Sequence, residues 1–201
     1  MGSTVIGIVG SYRKGGTIDS AVSATLEGAA AAGATTEKIY LLDEEIGFCT
    51  NCRTCMQGKP EARRGECVQK DAMANLMDKI DAADAVVLGA PVNMGSTAAL
   101  MKRFVERLAP YSYWPWGKAR APVNRIVTPD KKAVVITSSA SPAVMGRVLM
   151  PGALGQLKQA ARSMGAEVTK SLYFGFARSE KDSTLSEADL DRARAAGRRL
   201  R

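Results

Sequence analysis

The sequence alternates short strand-like runs, of which 4–10, 85–90 and 133–137 are almost wholly apolar, with longer segments of helical periodicity. The runs are rich in β-branched residues and lie at 4–10, 35–42, 85–90, 133–137 and 167–174. Such runs are typical of strands that are buried on both faces of a parallel sheet. Because helical segments separate them, the order predicts an α/β fold: a doubly wound, five-stranded parallel sheet in a three-layer α/β/α sandwich.

The helical segments carry apolar residues at helical spacing, together with end signals. They lie at 17–33, 73–80, 100–108 and 154–165, and the sequence TLSE at 184–187 has the spacing of a capping box before a last helix. In two segments the apolar residues have neither helical nor strand spacing. These are a loop at 48–69, which contains all four cysteines, and a second long loop at 110–130. We therefore predict a single domain over 1–201 with two long loops, and loops of this length are usually functional.

The chain of 201 residues contains no histidine. This excludes Ser-His and Cys-His nucleophile pairs, histidine-ligated metals and imidazole proton shuttles within the chain. Apolar residues make up 46% and charged residues 24%, which is typical of a folded globular domain. If the protein is an enzyme, its chemistry must come from a cofactor, or from lysine, tyrosine, cysteine and carboxylates.

The chain carries a formal net charge of +8, and several arginines stand in its last ten residues. A basic helix end of this kind is usually solvated and suits the helix macrodipole. No nucleic-acid motif accompanies the charge, so we expect no nucleic-acid partner. A basic surface also suits phosphorylated small molecules or an acidic partner protein.

The amino-terminal residues contain no basic run, and the apolar stretch that follows them is short. We therefore expect no signal peptide and a cytoplasmic location. The apolar stretch at 85–92 is far too short to cross a bilayer, so no membrane association is expected. In a reducing compartment the four cysteines favour thiolate or metal chemistry over structural disulfides.

The loop after the first predicted strand, GSYRKGGT at 10–17, has the context of an anion site. Glycines allow close backbone approach, hydroxyls donate, and the helix start offers free amides. It is not a Walker A loop, because Gly16 stands where that motif needs lysine. The spacing fits a single phosphate held by Ser11, Arg13, Thr17 and the amides of 15–18, or else a glycine-rich turn that binds nothing.

Three motifs in order resemble the NADPH-dependent FMN reductase family of flavodoxin-like proteins. They are the first loop at 10–17, GAPVNMG at 89–95, and MKRF at 101–104 followed by Glu106 and Arg107. Within the family the chain is similar to the iron–sulfur flavoprotein branch, which carries a C-x2-C-x2-C run before the second motif. The resemblance covers most of residues 4–176 and implies a flavodoxin-like fold.

The resemblance also implies FMN-binding residues on three loops, with no catalytic residue because FMN carries the hydride chemistry. The FMN phosphate would be bound by Ser11, Arg13, Gly15, Gly16, Thr17 and Ile18. The isoalloxazine ring would meet Pro91, Val92, Asn93, Met94 and Gly95 on one side. The third loop would face the ring from the other side with Ser138, Ser139 and Ala140. NAD(P)H would be the co-substrate, and a homodimer or homotetramer is expected because relatives often place flavin near a dimer interface.

The second long loop contains aromatic and basic residues with several open roles. Trp114 and Trp116 could cover a flavin face, pack against another subunit or fill a local hydrophobic patch. Lys118, Arg120 and Arg125 could meet the extra phosphate of NADPH or could be solvated.

The cysteines Cys49, Cys52, Cys55 and Cys67 have the spacing C-x2-C-x2-C-x11-C. Three thiolates at such short intervals can hold one face of a 4Fe-4S cluster, with the fourth ligand from further along the chain. Four thiolates can also bind zinc, and the cysteines can remain free or form a redox dithiol.

Three functions are consistent with these features. The first is an FMN-dependent NAD(P)H oxidoreductase that passes electrons to a flavin, a quinone or another small-molecule acceptor. The second is an iron–sulfur flavoprotein that relays electrons between redox protein partners, and the third is a non-catalytic four-cysteine metal module. Known carrier flavodoxins are acidic, so the +8 charge favours the enzyme.

Overall fold

A computed structural model of the protein describes residues 2–119, 121–177 and 184–201. Within them, five long strands form the sheet: β1 (Thr4–Val9), β2 (Thr35–Tyr40), β3 (Ala85–Asn93), β4 (Lys131–Ser138) and β5 (Ala166–Phe174). They are mutually parallel in the order β2-β1-β3-β4-β5, which is the flavodoxin-like order. The predicted fold class is confirmed.

Six helices cover the two faces of this sheet in the described residues. They are α1 (Thr17–Ala31), α2 (Ala72–Ala82), α3 (Ala99–Glu106), α4 (Ala143–Leu149), α5 (Gly152–Ser163) and α6 (Glu187–Gly197). Apolar residues of α1 and α6 pack on one face, and those of α2, α3 and α5 pack on the other. The continuous apolar runs of β1 and β3 are explained by this double covering, because both of their faces are buried.

The structure adds elements that the sequence patterns did not indicate. Helix α4 was not predicted, since Pro142 precedes it, Gly146 interrupts it and most of its apolar side chains are exposed. The loop at 110–130 contains a two-stranded ribbon, Ser112–Tyr113 paired with Val123–Asn124. The loop at 48–69 contains one short 3-10 turn, Thr54–Met56.

The last helix begins two residues later than a cap at the start of the TLSE motif would place it. Its N-cap is Ser186, whose hydroxyl accepts a hydrogen bond from the Asp189 amide at 3.2 Å. Ser186 and Asp189 have the three-residue separation of a capping box, but they are not the first and last residues of the TLSE motif. The predicted helix is present, and the prediction of its N-cap is wrong.

All five long strands end at the same edge of the sheet because they are parallel. The loops that follow β1, β3 and β4 therefore meet at that edge, next to the point where the strand order reverses. In open α/β sheets this is where ligands bind. None of the helices in the described ranges is both long enough and apolar enough to cross a membrane.

Candidate functional site

A cleft of about 680 Å³ opens at the carboxyl ends of β1, β3 and β4. It is lined by most of the residues predicted for a cofactor site: Ser11, Arg13, Gly15, Gly16, Thr17, Ile18, Pro91, Val92, Asn93, Ser138, Ser139 and Ala140. More than 120 residues of sequence separate the first loop from the third, and the parallel sheet brings all three loops together. The lining also includes four residues that sequence reasoning missed: Tyr12, Lys14, Ala177 and Thr184.

Two predicted residues lie outside the lining of the cleft. Met94 and Gly95 form the tight turn between β3 and the short strand Ser96–Thr97, with φ angles of 48° and 77°. The side chain of Met94 is fully exposed. This turn stands at the tip of the second loop, and a role for it against a ring stays a prediction.

The amino-terminus of α1 faces the cleft with free donors. Its N-cap is Gly16, which has no side chain to cap the helix. Within the described part of the chain, the amides of Thr17 and Ile18 have no hydrogen-bond acceptor. Uncapped amides at a helix start carry a partial positive charge and bind anions.

The first loop is held in shape by its own side chains. The Ser11 hydroxyl is buried and accepts a hydrogen bond from the Arg13 amide at 3.2 Å. The Gly15 amide donates to the Asp19 carboxylate at 2.6 Å, so a role for this residue at a phosphate stays a prediction. The Arg13 guanidinium has no ion-pair partner among the residues described, whereas Lys14 pairs with Asp43 at 2.6 Å.

Asp19 is a buried carboxylate in the first turn of α1 that the sequence analysis did not single out. Burial raises its pKa, but hydrogen bonds from the Gly15 amide, Lys38 and Tyr40 outweigh that effect and lower the pKa overall. Lys38 lies 2.9 Å away and the Tyr40 hydroxyl 3.0 Å away. These partners compensate its negative charge, so Asp19 shapes the loop without making the cleft repel an anion. An acidic residue in a first helical turn was the only sequence signal for this role.

Tyr12 connects the first loop to the helix that follows the second loop. Its hydroxyl accepts a hydrogen bond from the Leu100 amide, near the start of α3, at 3.1 Å. The exposed remainder of the ring lies at the cleft. The contact fixes the separation of two of the three loops, and nothing in the local sequence indicated it.

The third loop is fixed to the end of β5. The Ser139 amide donates to the Phe174 carbonyl at 3.0 Å, and the Ala177 amide donates to the Ser139 carbonyl at 2.9 Å. Ser138 and Ser139 are buried at the wall of the cleft. Beside them, the buried Thr137 hydroxyl has no hydrogen-bond partner within the described ranges.

The cysteine loop lies along α2 and α3 and is fastened by Arg107. The Arg107 side chain, 2% exposed, donates to the Gly47 carbonyl at 2.9 Å and to both carboxylate oxygens of Asp71 at 2.6 and 3.0 Å. It also lies 3.7 Å from the Cys67 sulfur. Both ends of the loop are therefore attached to one buried cation.

The four thiols differ in burial and in acidity. Burial, together with the nearby thiols of Cys67, Cys49 and Cys52, raises the pKa of Cys55 to about 11. Hydrogen bonds from the amide and hydroxyl of Thr54 lower the pKa of the exposed Cys52. The described residues include no group of three or more histidine, cysteine, aspartate or glutamate side chains placed to hold a metal ion. The thiols are neighbours, but they do not form a metal site in this arrangement.

The tryptophans of the second long loop pack on the cysteine loop and do not line the cleft. Trp114 and Trp116 lie over the Arg53 guanidinium, with ring centres 3.4 and 4.2 Å from it. Arg125 donates to the carbonyls of Gln57 and Lys59. Arg120, also considered for NADPH, lies outside the described residues.

Comparisons with known proteins agree with this fold. A curated iron-sulfur flavoprotein of Archaeoglobus fulgidus is 36% identical over 115 residues, which is 57% of this chain and 50% of that protein. The chain thus spans about half the length of the curated relatives it matches. An FMN-dependent NADH-azoreductase of Bacillus anthracis, solved in complex with FMN, superimposes with a TM-score of 0.67 at 12% identity, covering 98% of this chain and 99% of that one. An NAD(P)H:quinone oxidoreductase of Methanothermobacter marburgensis gives a TM-score of 0.63 at 19% identity with full coverage of both chains.

The family assignment comes from the sequence itself. Residues 3–180 match the family model described as NADPH-dependent FMN reductase. This range contains all three loops of the cleft and the whole cysteine loop. The chain therefore belongs to the NADPH-dependent FMN reductase family.

Proposed function

We propose that the protein binds FMN in the cleft and is an NAD(P)H-dependent oxidoreductase that passes electrons to a small acceptor, such as free flavin or a quinone. The observation that carries the proposal is the convergence of three loops at the reversal point of the strand order, around a cleft of about 680 Å³. Clefts of this size and position bind cofactors in doubly wound folds. The family match supports the flavin chemistry.

The residues of the first loop fit the phosphate end of FMN. The free amides of Thr17 and Ile18, the hydroxyls of Ser11 and Thr17, and the unpaired Arg13 guanidinium supply donors and positive charge around one position. The nearest buried carboxylate, Asp19, is already compensated by Lys38 and Tyr40. A single phosphate is therefore matched in charge and in hydrogen bonding.

The second and third loops fit a flat ring. Pro91, Val92 and Asn93 of the second loop and Ser138, Ser139 and Ala140 of the third loop line the cleft together. When bound, FMN would supply hydride acceptance from a nicotinamide and electron release to the acceptor, which needs no protein base. The chain's own residues would orient the ring, meet its polar edge with main-chain groups and exclude water. The absence of histidine from the sequence is consistent with this division of roles.

The choice of acceptor rests on the solved structures of similar fold. Their titles describe an FMN-dependent NADH-azoreductase and an NAD(P)H:quinone oxidoreductase. These titles support a small acceptor, such as a quinone, here. The positive charge of the chain supports a phosphorylated co-substrate such as NAD(P)H.

A homodimer or homotetramer is part of the proposal. Helix α4, which follows the third loop, exposes Val144, Val148 and Leu149 at 75%, 72% and 67%. Adjacent exposed apolar side chains on one short helix are typical of a surface covered by another chain. Sedimentation of the purified protein measures the assembly, and a monomer at all concentrations would contradict this part.

An electron relay through an iron–sulfur cluster is the second candidate function. Several curated relatives are named iron-sulfur flavoproteins, and four thiols on one loop are a suitable donor set. The described thiols are not arranged as a metal site, however, which favours the first candidate.

The test is steady-state oxidation of NADPH and of NADH by the flavin-loaded protein, with a quinone or free FMN as acceptor. We expect turnover above a control without protein, and reduced turnover for Arg13→Ala at subsaturating FMN. Flavin binding without turnover on any acceptor would contradict the enzyme and would favour the relay.

A further inference from the structure

A second groove runs along the open edge of the sheet, away from the cleft. Strand β5 is the last strand in the sheet order and pairs only with β4. Its residues Lys170, Ser171 and Leu172 form the floor of a groove of about 580 Å³, and helices α5 and α6 form its walls. The groove shares no residue with the flavin cleft.

The groove is lined by five cations and no carboxylate. They are Arg147 of α4, Lys158 of α5, Lys170 of β5, Arg192 in the middle of α6, and Arg199, which follows the end of α6. A single lysine on an edge strand commonly serves to prevent that strand from pairing with a strand of another molecule. Five cations from separate parts of the fold exceed that need.

Most of this charge is uncompensated. Arg192 pairs with Asp189 at 2.7 Å, but the side chains of the other four cations have no ion-pair partner in the described ranges. The other two acidic residues of α6, Glu187 and Asp191, both pair with Arg194. The groove therefore presents a positive potential that nothing within the described chain neutralises.

We propose that this groove binds an extended acidic segment of a partner protein. Its cations stand along a rim and are mostly exposed, as on surfaces that steer a macromolecule, whereas small-anion sites use buried, converging donors. Leu154 and Ala195 add some accessible apolar surface to the lining, which suits a peptide. No aromatic side chain is among its lining residues, so bases of a single-stranded nucleic acid would find no stacking platform.

The location gives the partner access to the flavin cleft. Arg147 stands on α4, which begins directly after the third loop of the cleft. A protein held in the groove would thus contact the helix that follows that loop. The binding itself does not depend on flavin, so the proposal can fail while the proposed function holds.

The test is the binding of a fluorescent, glutamate-rich peptide of nine residues, the length of β5. We expect affinity that falls steeply as salt is added, and no binding of the matched peptide with glutamine in place of glutamate. The triple variant Lys158→Gln, Lys170→Gln and Arg199→Gln should weaken binding about 10-fold or more at low ionic strength.

A matched control removes three positive charges elsewhere. Lys70→Gln, Lys79→Gln and Lys102→Gln together break exposed ion pairs with Glu66, Glu37 and Glu106, and should leave peptide affinity nearly unchanged. FMN titration and thermal unfolding of both variants confirm that they fold. Equal loss in the two triple variants, or no binding by the wild type, would overturn the proposal. An oligodeoxynucleotide of equal charge that binds as tightly, and is lost in the same groove variant, would also overturn it by assigning the groove to nucleic acid.

Discussion

Substitution of Gly152 by alanine would make helix α5 press on the second loop of the cleft and displace it. Gly152 is the first residue of α5, and a Cβ added there would lie 2.6 Å from the Gly95 carbonyl oxygen. An ordinary contact is at least 3.4 Å, so one backbone must move by about 0.8 Å. Overpacking of this kind costs about 1–3 kcal/mol, while the gain in helix propensity offsets about 0.5–1 kcal/mol. We expect a net loss of about 1 kcal/mol and a Tm lower by roughly 2–4 °C.

The effect on flavin should exceed the effect on stability. Gly95 and Met94 already occupy left-handed conformations, so the turn yields by moving Asn93 at the cleft wall. We expect FMN affinity, measured by fluorescence quenching, to fall about 10-fold, which corresponds to about 1.4 kcal/mol.

Gly155 in the same helix provides the control. A Cβ added at Gly155 meets no atom within 4 Å, so Gly155→Ala should raise stability by about 0.5–1 kcal/mol and leave FMN affinity unchanged. The reasoning is refuted if the two alanine variants bind FMN equally well.

Arg13→Ala should weaken FMN binding by about 1.5–3 kcal/mol in an isothermal titration, whereas Lys14→Ala should have a smaller effect because Asp43 already holds that ammonium; equal losses would contradict the phosphate contact. Arg107→Met should lower the free energy of unfolding, measured in urea, by about 3–5 kcal/mol, because the Asp71 carboxylate loses its cationic partner. Adding Asp71→Asn to this variant should restore part of the loss. Burial raises the pKa of Asp71, but hydrogen bonds from Arg107 and two amides lower it below 3.8, so its stabilisation is complete above that pH and is lost as the pH falls further; an Asp71→Asn variant with the same acid titration of stability would refute this.

The strands and the position of the cleft could be predicted from the sequence because their signals are local. A strand buried on both faces must be apolar throughout, as 4–10 and 85–90 are. Parallel strands then place their following loops at one edge, so Thr17, Pro91 and Ser139 could be expected near one another before any contact was known.

The contacts that shape the cleft could not be predicted, because they join residues distant in sequence. The hydroxyl of Tyr12 meets the Leu100 amide, and Lys38 compensates Asp19 from the neighbouring strand. Periodicity contains no information about such pairs. Helix α4 was missed for a different reason: its apolar residues face outward, so the pattern that marks a buried stripe is absent.

The cysteine loop shows the same limit. The spacing of its thiols indicated metal chemistry, but whether four thiols converge depends on the path of the loop between them. That path is set by Arg107 and by the stacking of Arg53 on two tryptophans from another loop. Neither contact has a sequence signature.

The most direct test of the central claim is the absorption spectrum of the purified protein after incubation with FMN and removal of excess flavin. The account predicts structured flavin bands with one FMN for each chain, and a marked loss of bound flavin in Arg13→Ala. A spectrum that contains protein absorbance alone would contradict the assignment of the cleft to FMN.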